Sequence, residues 1–267
     1  MAGRWSRWRR ATQVIAALVY VGLPFVGEPW LAGSLAALRV GRVDLVEPAG
    51  ALSAVLASGA IPRALLLGSL PVVALGLLLG PVYCSWICPW GFLSEGIDRL
   101  RARGARWPDR AWEAVRRPRV VALVLVLFSS ALLGAPLAAL LAPPRLVTAL
   151  PVEAWSGRVV PWFTGGLLLA FLGLELLGPR RLLCRALCPA GAMAAVLRRR
   201  FTWSPRFFAN QCRCPDAPAC HQGCPWGIDP RVASFRDGCT SCMACVDRCP
   251  SGALSGRSRA YPRGLQA

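Results

Sequence analysis

Lysine is missing from this chain of 267 residues, so its formal charge of +18 rests on arginine alone. Histidine is nearly missing too, with His221 as the single copy. Two axial histidines for a haem cannot come from this chain, and no C-x-x-C-H run is present to attach a c-type haem. There is no Walker loop, no Rossmann glycine fingerprint and no flavin motif, which removes the usual sequence signs of a nucleotide or flavin site. A basic excess of this size often marks a nucleic-acid surface. Here the arginines flank apolar stretches instead, and no nucleic-acid partner is expected.

What the chain does have is cysteine, 12 in all. The tail carries Cys239-Thr-Ser-Cys-Met-Ala-Cys-Val-Asp-Arg-Cys249-Pro250, a C-x2-C-x2-C-x3-C-P run. This is the spacing that holds cubane iron–sulfur clusters in bacterial ferredoxins, with the fourth cysteine serving a neighbouring cluster. Zinc sites usually space their cysteine pairs further apart. The second cluster finds its ligands upstream, in CRCPDAPACHQGCP. Laid on the same frame, Cys214, Cys220 and Cys224-Pro225 match, while Ala217 stands where the second cysteine belongs. Cys212 is the obvious substitute. The spacing assigns Cys224, Cys239, Cys242 and Cys245 to one [4Fe–4S] cluster, and Cys212, Cys214, Cys220 and Cys249 to the other. The C-x-C start leaves open which of Cys212 and Cys214 is the weaker ligand.

Hydrophobic residues make up 55% of the chain, which favours a membrane class over an ordinary soluble one. Apolar spans are read at 11–27, 64–82, 120–142 and 159–177, the last three each long enough for roughly 30 Å of hydrocarbon. Pro71 and Pro136 are expected to kink their helices. A basic start before an apolar run also suits a signal peptide. No small-x-small cleavage site follows directly, so a retained first helix is expected. Residues 28–62 read as an external loop with a short surface helix near 50–58. Eight arginines between 99 and 119 lie between spans two and three, against only Arg145 and Arg158 between spans three and four. This bias places both termini in the cytoplasm. Trp86, Trp90, Trp107 and Trp112 are expected to form an interfacial aromatic belt.

The apolar part repeats itself. Gly80-Pro81 precedes Cys84-Ser-Trp-Ile-Cys88-Pro89, and Gly178-Pro179 precedes Cys184-Arg-Ala-Leu-Cys188-Pro189, with the cysteines offset by 100 residues. Each proline breaks one helix and starts the next. Two parallel hairpins would bring Cys84, Cys88, Cys184 and Cys188 towards each other. The bland reading is small buried cysteines at chance spacing. The sharper one is a thiolate site for copper(I), zinc or another iron–sulfur centre, or for thiol–disulfide chemistry. Glu175, in the last span, is a functional candidate by its depth, with Glu95 and Asp98 as the other carboxylates suited to taking a quinol proton.

With two C-x3-C-P motifs, four spans and the two-cluster tail, the chain resembles the NapH/MauN-type membrane ferredoxins, relatives of the NosR and CcoG membrane iron–sulfur proteins. The stretch Cys224-Pro-Trp-Gly-Ile-Asp229 is also similar to CcoG. The resemblance covers most of residues 11–252; the irregular motif at Ala217 and the absence of the CcoG C-terminal extension depart from it. It implies electron transfer at the cytoplasmic membrane. NapH-type proteins imply a quinol dehydrogenase component, MauN-type relatives a maturation role, and CcoG copper reduction for oxidase assembly.

The reading is therefore a membrane all-α fold of four transmembrane helices in two repeated hairpins (1–200), plus a small cytoplasmic α+β dicluster ferredoxin domain (201–267). Placed in the bacterial inner membrane, it is expected to pass electrons between the quinone pool and another redox protein through two [4Fe–4S] clusters. It reads as an electron-transfer component rather than a stand-alone enzyme. A copper reductase or assembly factor using a metal at the C-x3-C-P thiolates, or a membrane redox sensor, is the alternative.

Overall fold

The computed structural model describes residues 3–26, 31–34, 37–41, 43–100, 118–156, 161–199, 202–214, 219–231 and 239–256. Two Gly-Pro pairs punctuate it. Gly80, at φ +65° and ψ −147°, ends helix α3 (Arg63–Leu79) in a conformation open only to glycine. Gly178-Pro179 ends the equivalent helix of the second half (Pro161–Leu177), and Arg181 turns the chain at φ +57°.

Ahead of α3 come α1 (Arg4–Val26), a three-stranded antiparallel meander of β1 (Leu31–Ser34), β2 (Ala37–Val40) and β3 (Val43–Val46), and α2 (Pro48–Ser58). Glu47 starts α2 by accepting from Ala49 N–H (3.1 Å) and Gly50 N–H (2.7 Å). After α3 follow α4 (Val82–Trp86), α5 (Pro89–Leu100), α6 (Pro118–Leu133), α7 (Leu137–Leu140), α8 (Pro143–Ser156) and α9 (Pro161–Leu177). A π-helical turn (Leu183–Leu187) leads into α10 (Pro189–Leu197). The tail holds β4 (Arg206–Phe207), a 3-10 turn (Ala209–Gln211), α11 (Ala219–Gln222), α12 (Ala244–Asp247) and β5 (Leu254–Ser255), with β4 and β5 paired antiparallel.

Among the described residues, no helix is long and apolar enough to cross a membrane. This overturns the four-span fold, together with the multi-pass inner-membrane placement and cytoplasmic termini deduced from it. The reason lies in the helix breaks. Helices α3 and α9 have 17 residues and α6 has 16. At 1.5 Å per residue they reach about 26 Å at most, short of roughly 30 Å of hydrocarbon. The expected span 120–142 is cut by Gly134, at φ +62°, and by Pro136, and is divided between α6 and α7. Pro71, by contrast, stays inside α3. Helix α1 has 23 residues, but Arg4, Arg7, Arg9 and Arg10 fill its first turns.

A further expectation is corrected. The strands β1, β2 and β3 form a meander rather than a loop, and α2, at the helix expected near 50–58, buries one face with Ala49, Gly50, Ala51 and Ser53 while Leu52 and Leu56 stay exposed. Ala49 packs with Leu123 of α6, Ala138 of α7 and Ala192 of α10 in one core. The arginines from 101 to 117, and Trp107 and Trp112, lie outside the described residues.

A second core joins the two halves around the cysteine turns: Cys88, Trp90 and Leu183, with Tyr83, Phe171 and Cys184 against them. The tail has its own small core of Cys220, Cys245 and Leu254. Asp247 ties that tail to the start of α1, its carboxylate accepting from Trp5 N–H (3.1 Å) and Ser6 N–H (2.6 Å).

Candidate functional site: cysteines in three sets

The tail run closes on itself because Ser241 and Met243 take positive φ, 52° and 58°. These two left-handed residues turn the chain between Cys239 and Cys242 and between Cys242 and Cys245, and Ser241 N–H points at Cys239 Sγ (3.4 Å). Cys224 joins them. Burial pushes the Cys245 thiol well above its ordinary range, and thiolates at Cys242, Cys239 and Cys224 push it further. Burial likewise lifts Cys242 to about 11, with Cys224 and Cys239 adding to it. These four sulfurs are thus within electrostatic reach of one another.

The remaining tail thiols are Cys212, Cys214, Cys220 and Cys249. Cys214 is raised by desolvation, by a hydrogen bond with Cys212 and by the charges of Cys212 and Cys249. Cys220 is raised by burial and then by Cys249 and Cys214 among its neighbours. Cys249 ends lower than usual: burial opposes ionisation, but Ser251 and the N–H groups of Leu254, Ala253 and Ser251 favour the thiolate. Ala217 is outside the described residues.

The third set comprises both C-x3-C-P turns. Cys84, Cys88, Cys184 and Cys188 line one cavity, together with Tyr83, Trp90 and Arg119, and with Trp226 and Thr240 of the tail. The turns are built alike. Cys88 N–H donates to Tyr83 C=O (2.9 Å) and Cys188 N–H to Leu183 C=O (2.7 Å), the wide i→i+5 closure often found at functional sites. Each second cysteine precedes the proline that opens a helix. Gly191 N–H bonds Cys188 Sγ (3.4 Å), and Gly91 N–H favours the Cys88 thiolate in the equivalent turn. Burial raises all four thiols, Cys84 and Cys188 to about 12, with charge on the other cysteines of the set adding to it.

Sequence reasoning missed the two glycines, although the signal was present: the repeat is C-x3-C-P-x-G, with Gly91 and Gly191 again 100 apart. A β-carbon on Gly91 would collide with Cys84 C=O, and one on Gly191 would sit 3.2 Å from Cys184 C=O. At Gly91 only glycine lets the helix start lie against the preceding turn, and at Gly191 a β-carbon would be tight there.

Trp86 and Trp90 do not form the expected belt. Trp90 is 1% exposed and meets Phe171 edge-on at 6.4 Å. Trp86 packs with Trp5 and Trp203 and donates to Ser241 C=O (3.2 Å). Of the carboxylates, Glu95 is paired with Arg9 (3.0 Å) and Arg99 (2.7 Å), and Asp98 with Arg181 (3.3 Å). Glu175 is 2% exposed and accepts from Ser94 Oγ (2.9 Å) and Leu183 N–H (3.3 Å). Burial raises its pKa against both hydrogen bonds.

Among the described residues, no three His, Cys, Asp or Glu side chains are spaced to hold a single metal ion. A cubane binds each thiolate through a different iron, so its ligands need not converge on one point. All-cysteine sets of four, with N–H groups aimed at sulfur, fit that group.

Comparison with known proteins agrees. Residues 62–108 match one 4Fe-4S binding domain and residues 235–255 match another. The methylamine utilization ferredoxin-type protein MauN of Methylorubrum extorquens is 31% identical over 251 residues, covering 93% of this chain and 75% of the relative. MauN of Paracoccus denitrificans is 29% identical, covering 84% and 77%. The ferredoxin-type protein NapH of Escherichia coli is 28% identical over 258 residues, covering 92% and 86%. No solved structure matches.

Proposed function

The chain belongs to the family of ferredoxin-type proteins that includes MauN and NapH, and from that premise we propose that it relays electrons between the quinone pool and a second redox protein. Its iron–sulfur electron-transfer role follows from the family and from its two 4Fe-4S domains. The finer reading assigns Cys224, Cys239, Cys242 and Cys245 to one [4Fe–4S] cluster and Cys212, Cys214, Cys220 and Cys249 to a second. A bound cluster of this kind supplies one-electron redox chemistry.

What supports the reading is that the charge of Cys224 acts on Cys242 and Cys245, while the charge of Cys249 acts on Cys214 and Cys220. Cys224 joins the later run, and Cys249 joins the earlier one. Two interleaved ligand sets make the tail one unit, so neither half keeps its ligands without the other.

The chain's own groups set the conditions for such a cluster. Ser241 N–H at Cys239 Sγ spreads sulfur charge, which favours the more negative, reduced state. Arg198 donates to Cys239 C=O and, only 5% exposed, brings positive charge to the same segment. Glu175, with Ser94 between it and Cys184, is a carboxyl whose surroundings favour holding a proton, as those of Glu47 also do. A quinol donor must release protons as it gives up electrons, and this group suits that task.

The test is reduction of the anaerobically prepared protein by a soluble quinol analogue, followed by optical bleaching. Bleaching by the quinol supports the reading. Bleaching by dithionite but by no quinol leaves an electron-transfer protein with a different donor.

A further inference from the structure

The C-x3-C-P cysteines have so far been given no cluster of their own. We infer that Cys84, Cys88, Cys184 and Cys188 together bind a third iron–sulfur cluster, of the [4Fe–4S] type, shared between the two halves of the repeat. The inference goes beyond the tail clusters and rests on the iron–sulfur reading of the chain.

Four observations carry it. All four sulfur residues line a single cavity, and each half supplies two of them. One half alone offers half a cubane's ligand set. Yet residues 62–108, which contain only Cys84 and Cys88, match a 4Fe-4S binding domain. The other two ligands come from the copy 100 residues later. The site thus resolves the mismatch between a cluster-binding segment and its two cysteines.

The turns also have the construction of ligand turns. Gly191 N–H bonds Cys188 Sγ, Gly91 N–H favours the Cys88 thiolate, and in both turns the preceding carbonyl approaches the glycine closely enough to crowd a β-carbon. A chance pair of core cysteines has no reason to repeat the glycine three residues after the second sulfur. N–H groups aimed at sulfur stabilise thiolate, the form that binds iron.

The surroundings are mostly aromatic and apolar, with Tyr83, Trp90 and Trp226 bordering the cavity beside Arg119 and Thr240. Burying four separate thiolates there is costly, and sharing their charge with iron removes that cost. Ligation releases one proton from each thiol as its S–Fe bond forms.

Lastly, the cavity adjoins the tail. Trp226 and Thr240, which line it, follow Cys224 by two residues and Cys239 by one. A cluster here sits next to the one assigned to those two cysteines, in line for electron exchange with it.

Iron and acid-labile sulfide are counted per chain in the full-length protein, prepared without oxygen, and reduced-state EPR is recorded. The expected count is about twelve irons, falling to about eight in Cys84→Ser/Cys184→Ser while the tail signals persist. Cys242→Ser/Cys214→Ser should remove the tail signals and spare the third. If the double core variant does not fold, as judged by its helical circular dichroism, the wild-type count decides. About eight irons in wild type overturns the inference, as does undiminished iron in the folded core variant. One zinc or copper per chain at these cysteines, or disulfides found there by mass spectrometry, overturns it as well. Loss of tail iron with the third cluster intact would defeat the tail assignment and leave this one standing.

Discussion

The Ser85 hydroxyl hydrogen-bonds the Thr240 hydroxyl across 155 residues of chain, both side chains buried. Ser85 follows the first cysteine of the C-x3-C-P turn, and Thr240 follows the first cysteine of the ferredoxin run. The two cysteine turns are thereby fastened to each other, and Trp86 N–H on Ser241 C=O reinforces the join.

Breaking one side of this pair strands a buried hydroxyl. Thr240→Val is expected to cost about 1–3 kcal/mol, and Ser85→Ala/Thr240→Val less than the sum of the single changes. Urea unfolding of the two single variants and the double one measures the coupling. Additive costs would mean that the two hydroxyls do not interact.

The paired glycines make an ordered prediction. Gly191→Ala places a β-carbon 3.2 Å from Cys184 C=O, and Gly91→Ala drives one into Cys84 C=O. Both lower stability, by about 1–3 kcal/mol, with Gly91→Ala the worse. Thermal unfolding ranks them.

These features show what was legible in the sequence. The meeting of the C-x3-C-P pairs at one cavity and the 4Fe-4S binding domain of the tail were, because both rest on spacing within a few residues. The helix starts at Pro89 and Pro189 were, because proline acts locally. Membrane spans were misjudged because hydropathy measures apolar length and takes no account of where Gly80, Gly134 and Gly178 end a helix. The meander escaped notice because its strands have only four residues each, with Arg39 opposite Asp44 rather than an apolar face. The Ser85–Thr240 and Ser94–Glu175 contacts join positions 155 and 81 apart, which no local pattern announces.

Glu175 should leave a signature in pH. Burial raises its native pKa above the ordinary 4.5. The native state therefore holds the proton more tightly than the unfolded chain does. The resulting stability is fully present below 4.5 and is lost as pH rises through the elevated native value. Glu175→Gln removes that loss. The stability of the variant relative to wild type should climb across this window and then level off, as read by denaturant midpoints at several pH values. A flat difference would contradict the raised pKa.

Asp247 holds the start of α1 through two backbone N–H groups. Asp247→Ala is expected to cost about 1–2 kcal/mol and to loosen α1 from the tail. Hydrogen exchange at Trp5 and Ser6 reports it directly; unchanged protection there would show that the carboxylate is not the restraint.

Iron content after anaerobic reconstitution with iron and sulfide tests the central claim most directly. The account predicts a brown protein, bleached by reductant, that loses the tail's share of about eight irons in Cys242→Ser/Cys214→Ser. A colourless, iron-free protein, or a tail variant as rich in iron as wild type, would contradict it.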